Sequence, residues 1–331
     1  MAAYVIRRVI YAVVTLLVVS VVAYVIIQLP PGDYLTSYIM RLEMQGGEVT
    51  DAEVETLKRE YGFDLPPHLR YFKWMANLLR GDLGRSFFYN RPVLELLAER
   101  LPLSLLVSLL ALLFTYLVSI PVGIYSATHQ YSVWDYTLSF VGFVGLATPN
   151  FILALLLMFF FFKTFGLSIG GLFSPEYLLE SWSWGKFVDL LKHLPVPVIV
   201  IGTAGTAGLI RVMRGLMLDE MAKQYVVTAR AKGVGERRLL FKYPVRVSLN
   251  PIVSTIGWTL PAIVSGQTIT AIVLSLPTVG PLLLEALVNE DIVLAGSVVM
   301  ILSFLTVLGT LLSDLLLVVL DPRIRFEGGS R

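Results

Sequence analysis

Six long stretches of this chain carry no Asp, Glu, Lys or Arg: Val9 to Gly32, Leu101 to Trp134, Tyr136 to Phe162, His193 to Ile210, Val247 to Leu284 and Ile292 to Ser313, the last resuming past Asp314 to Leu320. A bilayer's hydrocarbon layer is about 30 Å thick and takes roughly 20 helical residues to cross. The pattern therefore predicts an all-α membrane protein with six transmembrane helices. The fourth stretch is short, and Pro195 and Pro197 suit the first turn of its helix. The fifth is too long for one straight span, and Pro251 and Pro277 mark connecting segments within it. Gly202, Gly205 and Gly208 in the fourth stretch and Gly142 and Gly145 in the third permit close helix approach, either inside the subunit or against another. The aromatic run Phe159 to Phe162 is expected to face lipid.

Between the first two spans the charges are mixed and helix punctuation is dense. Thr50-Asp51-Ala52-Glu53 has the form of a capping box, Gly62 suits a stop, and Pro66-Pro67 opens a second helix from His68 to Arg80 with Gly81 after it. A third helix after Pro92 carries Val93, Leu94, Leu96, Leu97 and Leu101 on an apolar stripe that leads into the membrane as an interfacial elbow. The organisation read from this is an anchor helix over 1–32, a helical insert over 33–100, a membrane core over 101–320 and a tail over 321–331. The first span follows Arg7-Arg8, but its apolar run exceeds the roughly 7–15 residues of a cleavable leader, so it is read as a retained anchor.

Composition agrees: 56% of residues are hydrophobic, 15% are charged, and the mean hydropathy is +0.75. With no cysteine, disulfides, thiolate metal sites and a cysteine nucleophile are excluded. The net charge of +2 gives no basis for a nucleic-acid partner. Where the charges fall is more telling. Arg7 and Arg8, the basic segment from Arg211 to Arg246, and Arg323, Arg325 and Arg331 share one side of a six-span topology, whereas Glu285, Glu290 and Asp291 precede the last span without a basic residue. The positive-inside rule puts the basic segments and both termini in the cytoplasm and the insert outside. The tight connection at Asp135 gives no information on sidedness.

The cytoplasmic loop 212–246 has an internal order of its own. Asp219 reads as an N-cap with Glu220 behind it, Arg230 and Lys232 suit the negative end of the helix that follows, and Gly233 supplies a left-handed stop that Val234 closes. Glu236 to Tyr243 leaves room for a second short helix before Pro244. Small side chains at Thr228, Ala229 and Ala231 invite close approach by another surface, and the basic residues suit an acidic rim or lipid phosphates.

The stretch Tyr225 to Val234, followed by Pro244, Arg246, Asn250 and Pro251, resembles the EAA loop of ABC importer permeases of the dipeptide and oligopeptide type. Pro31-Gly32-Asp33, Tyr61 to Asp64, Arg80 to Ser86, Arg91-Pro92-Val93, Glu99 to Pro102, Ile120 to Gly123, Asp314-Leu315 and Leu320 to Arg323 are similar to that subfamily in order and spacing. The loop departs from the general pattern at Val227, where Glu is usual, and at Arg246, where Pro is usual. The resemblance implies a type I ABC importer permease fold in a prokaryotic plasma membrane. It implies that Thr228, Ala229, Arg230, Ala231, Lys232, Gly233, Val234 and Glu236 form a coupling helix and bend that dock on an ATPase. The implied partners are a second homologous permease, two ABC ATPase subunits that carry ATP and Mg, an extracytoplasmic solute-binding protein and membrane lipid, with no cofactor on this chain. Such a permease is not itself an enzyme. A peptide is the first substrate implied and an oligosaccharide the second.

Other classes find less support. Arg80 to Ser86 lacks the Gly-x4-Gly-Lys-Ser/Thr of a phosphate loop, and His68, His129 and His193 lie in separate segments with no His-Glu-x-x-His. A stand-alone, ion-coupled secondary transporter calls for intramembrane ionisable groups and usually paired repeats; this sequence offers Asp314, for which packing or an interfacial position is the simpler role, and no repeat.

Overall fold

The computed structural model describes residues 2–28, 55, 65–166, 169–178, 180–256, 259 and 267–320. The capping box at Thr50, the stop at Gly62, Pro31 to Asp33, Tyr61 to Asp64 and the tail beyond Leu320 lie outside them, as does the side chain of Asp314. Helix follows helix along the chain: α1 (Ala2–Gln28), α2 (Pro67–Leu79), α3 (Val93–Thr128), α4 (Val133–Ala147), α5 (Asn150–Phe165), α6 (Trp184–His193), α7 (Pro195–Met221), α8 (Gln224–Ala231), α9 (Glu236–Lys242), α10 (Pro244–Ser254), α11 (Thr268–Val273), α12 (Val279–Val288) and α13 (Ile292–Leu320). Among the described residues four helices are long and apolar enough to cross a membrane, or five if a bent pair is one span.

The bent pair is α4 and α5. The expected third span breaks at Thr148-Pro149 with a 103° change of direction. Proline cannot donate to the preceding turn and pushes the residue before it out of helical geometry; Thr148 accordingly sits at φ −88°, ψ 118°. Three other boundaries differ from the charge-free windows. The expected elbow at Val93 is no separate helix but the first turns of α3. The fourth span runs on past Ile210 to Met221. The described residues of the fifth stretch include the short helices α10, α11 and α12.

Two compact units divide the described chain. One comprises Ala2–Pro102 and Pro281–Leu305. Within it α1 meets α2 through Ser20 and Tyr71, whose hydroxyls lie 2.7 Å apart, and through the Tyr24 hydroxyl, which donates to the Pro67 carbonyl at 3.1 Å. Further along, the fully buried Asp291 caps α13. It accepts from the Leu294 N–H at 3.0 Å and holds the loop after α2 through the Ser86 hydroxyl at 2.5 Å and the Phe88 N–H at 3.0 Å.

Leu103–Gly280 and the end of α13 form the other unit. Val107, Ala111, Ala154, Leu190, Val200, Ile201 and Ala271 join helices α3, α5, α6, α7 and α11 in one apolar core. Hydroxyls on α3 bind spare carbonyl lone pairs of α7: Thr115 donates to Gly202 at 2.8 Å and Ser119 to Thr206 at 3.0 Å. The glycines fall into two groups. A Cβ on Gly202 would lie 2.6 Å from the Phe114 ring and 3.0 Å from the Ala111 carbonyl oxygen, and those on Gly205 and Gly145 would press on Thr115 and Thr203. These positions serve packing within the subunit. Gly208 faces open space. Gly202→Ala is therefore expected to lower the thermal midpoint of the detergent-solubilised protein, while Gly208→Ala is neutral or raises it, since alanine gains about 1 kcal/mol of helix propensity. Thermal unfolding followed by size-exclusion chromatography measures both.

Candidate functional site

The expected helix, glycine bend and second helix are present as α8, Gly233 and α9. Their entrance is different. Asp219 is no N-cap: it and Glu220 lie in the last turn of α7, and α8 starts after Lys223, which is extended at ψ 145° and caps with no side chain. The helix persists past Arg211 because its apolar face does. Thr206, Ile210, Met213 and Met217 recur at helical spacing and are buried, and the two methionines, fully buried, pack with Ala127 on α3 and Val245 and Ile252 on α10. Outside lipid a helix tolerates charge on its other face, so a charge-free window underestimates its length.

From Ala222 the chain turns through Lys223 into α8, which ends in a two-bond cap. The Gly233 N–H donates to the Arg230 carbonyl at 3.0 Å and the Val234 N–H reaches back to the Ala229 carbonyl at 3.2 Å. That geometry needs the positive φ of Gly233, +77°. Half-buried Val234 packs on Val226 and Ala229 of α8 and Leu239 of α9, and Tyr243 closes the cluster. A small core of this kind makes α8, the bend and α9 one bracket.

The predicted site residues divide between its two faces. Thr228, Arg230, Ala231, Lys232, Gly233 and Glu236 are exposed, available to a partner. Ala229 is 8% exposed and packs on Leu239 within the bracket, so its small side chain serves the internal contact. Arg230 bridges the bend to Glu236, Nε to Oε1 at 2.6 Å and Nη2 to Oε2 at 3.3 Å. The Arg230 hydrogen bonds hold the Glu236 carboxyl below its usual range. Both side chains are about half exposed, where solvent screening leaves an ion pair little stabilising weight, so its effect is on the aim of the two groups.

Residues that sequence reasoning passed over join the bracket to the rest of the unit. The Tyr225 hydroxyl donates to the Glu220 carboxylate, tying the start of α8 to the end of α7. Burial, and then that acceptor, push the Tyr225 phenol up to about 12. Higher on α7, Arg214 donates from Nη2 and Nε to the two carboxylate oxygens of Asp135 at 3.1 and 3.3 Å. The Asp135 side chain is 5% exposed and also accepts from the Tyr131 N–H. The connection between α3 and α4 is thus clamped to the helix that leads into the bracket. Arg214 lies seventy-nine positions from Asp135, and no local pattern announces the pair. Among the described residues no group of His, Asp or Glu could hold a metal ion. The arrangement is a packed bracket with a basic outer face, attached to one long helix.

Comparison with known proteins gives a consistent picture. Residues 119–326 match the family model described as the binding-protein-dependent transport system inner membrane component, and residues 1–109 match the N-terminal model of such membrane components. The oligopeptide transport system permease protein AppB of Bacillus subtilis (strain 168) is 34% identical over 98% of this chain and 100% of its own length. The inner membrane ABC transporter permease protein YejB of Escherichia coli O157:H7 is 32% identical over 99% of this chain and 100% of its own length. Among solved structures, the MetNI methionine ABC transporter in inward-facing conformations superposes with a TM-score of 0.53 at 15% identity, covering 69% of this chain and 97% of that one. At that identity the likeness concerns the fold.

Proposed function

The chain belongs to the binding-protein-dependent transport system inner membrane component family, and on that premise we propose that it is a permease subunit of an ATP-driven importer for peptide-like solutes. The observation that carries the reading is the rigid bracket of α8, Gly233 and α9 at the end of a membrane-crossing helix, within a chain that matches the family from end to end. Peptide is the substrate class because the relatives similar over nearly the whole chain are named oligopeptide and peptide permeases.

The bracket docks on an ATPase subunit, with Thr228, Arg230, Ala231, Lys232, Gly233, Val234 and Glu236 at or beside the contact. ATP and Mg are held by that partner, and this chain catalyses no reaction. A second, related permease completes the translocation path, and an external binding protein delivers the solute. Six spans with both termini cytoplasmic fit the distribution of Lys and Arg, the sixth coming from the segment that includes α10, α11 and α12. ATP shifts the equilibrium between inward- and outward-open states only through contacts that differ between them. The bracket supplies such a contact, and Tyr225–Glu220 and Arg214–Asp135 carry its displacement into α7 and the α3–α4 connection.

Affinity purification from native membranes tests the reading. The tagged chain is expected to bring down ATPase subunits and a second permease, and vesicles holding that complex with the binding protein are expected to take up a labelled peptide only when ATP is supplied on the bracket's side. Uptake by the lone chain driven by a proton or sodium gradient would overturn it. ATP-driven uptake of an oligosaccharide and not a peptide would overturn the substrate class alone.

A further inference from the structure

The connection between α5 and α7 contains a helix whose polarity is inside out. On α6 two charged residues, Lys186 and Asp189, face inward: the Lys186 ammonium donates to the Glu180 carbonyl at 2.5 Å and lies over the rings of Phe173 and Trp182 at 5.1 and 5.8 Å. Buried Asp189 accepts from both the N–H and the hydroxyl of Ser174 at 2.7 Å. The outward face is apolar, with Trp184 78% exposed, Leu191 50% and Phe187 40%. A helix bathed in water favours the reverse arrangement.

What covers this face follows from its continuation. The backbone stays helical through Leu194, at φ −61° and ψ −37°, and α6 and α7 form one apolar segment, Trp184–Met221. Along it the exposed residues Trp184, Phe187, Leu191, Pro195 and Ile199 recur at steps of three and four, one stripe along one side of a helix. The stripe leaves the membrane-crossing part of α7 without interruption. Exposed Phe159, Phe162 and Phe165 on α5, which packs against α7, extend the same kind of surface. Counting back from Arg211, a hydrocarbon layer of roughly 20 helical residues ends near Leu191. Phe187 and Trp184 then occupy the next two turns, at headgroup level, with Trp182 and the exposed Lys192 nearby. Aliphatic residues deep, tryptophan at the boundary and a lysine near phosphate is the order a bilayer edge selects.

We infer that the stripe Trp184–Phe187–Leu191–Pro195–Ile199 is a lipid-contact surface that seats α6 in the headgroup layer of the leaflet remote from the coupling bracket. Its partner is phospholipid. The inward charges Lys186 and Asp189 fix the helix to the protein, and the outward aromatics fix the protein to the membrane, so α6 sets the depth of α7. This rests on α7 crossing the membrane and is independent of the solute carried.

Because the chain has no cysteine, each substitution gives it a single thiol, which is labelled before assembly with its partners. Trp184→Cys, Phe187→Cys, Leu191→Cys and Ile199→Cys would each carry a nitroxide in the intact complex, in vesicles of phosphatidylethanolamine and phosphatidylglycerol. Power saturation with oxygen and with a water-soluble nickel chelate reads depth. Mobile labels are expected, with the oxygen-to-nickel accessibility ratio rising stepwise from 184 through 187 and 191 to 199. Labels immobilised and shielded from both reagents would mean that a protein covers the stripe and would overturn the inference, as would nickel access at all four positions. ATP-driven uptake in the same vesicles is read separately, so loss of either proposal leaves the other standing.

Discussion

Gly233→Val is expected to leave the permease in the membrane at normal abundance while abolishing uptake, with the substrate-dependent stimulation of the partner ATPase lost. The reason is conformational. No atom lies within 4 Å of where a Cβ on Gly233 would stand, so a larger side chain meets no obstacle. The backbone at φ +77° is the difficulty. A residue with a side chain pays about 1–2 kcal/mol to occupy the left-handed region, and branching at Cβ makes it worse. Relaxing that strain means giving up the bonds from Gly233 to Arg230 and from Val234 to Ala229, which swings Val234 off Leu239 and opens the bracket. A shift of one or two kcal/mol changes a two-state ratio by roughly 5–30-fold, enough to empty the docking-competent state. Gly233→Asn provides the control, because asparagine tolerates positive φ. It is expected to keep most of the uptake. Equal activity in the valine and asparagine variants would show that the bend's handedness is immaterial to coupling.

How this bracket was legible in the sequence, and where it was not, follows from the range of the forces. Gly233 could be read because one residue's backbone preference decides a helix stop, and Pro195 because a missing N–H costs nothing in a first turn. Glu236 to Lys242 could be read from the room between Gly235 and Pro244. The end of α7 was hidden by reading charge as the boundary, although Ile210, Met213 and Met217 continue the apolar stripe past Arg211. The inward turn of Ala229 depends on Leu239, and the ion pair of Asp135 on Arg214; both are tertiary contacts that no window contains. Pro149, by contrast, breaks the third stretch by local chemistry, its missing N–H and its effect on Thr148, which the length of a charge-free window does not register.

Asp291 makes the same point with a larger expected effect. Along the sequence it is one of three acids before the last span, interchangeable with Glu285 and Glu290 as a mark of sidedness. In the structure it is wholly buried, while Glu285 and Glu290 are exposed. Its carboxylate serves three donors: the Ser86 hydroxyl, the Phe88 N–H and the Leu294 N–H. Asp291→Ala removes the acceptor of the Leu294 N–H, and with it the cap of α13, together with the carboxylate oxygen that the Ser86 hydroxyl and the Phe88 N–H share. A loss of about 2–3 kcal/mol follows, with a fall in the thermal midpoint of roughly 3–8 °C for a chain of this size. Asp291→Asn recovers little, since its amide keeps one acceptor and turns a donor toward donors. Glu290→Ala, at the exposed neighbouring acid, is expected to shift the midpoint much less. Thermal unfolding of the three variants, with proteolysis of the Leu83 to Arg91 loop as a local readout, separates the roles. If Asp291→Ala and Glu290→Ala behaved alike, the carboxylate would be a topological charge and the loop would be held by something else.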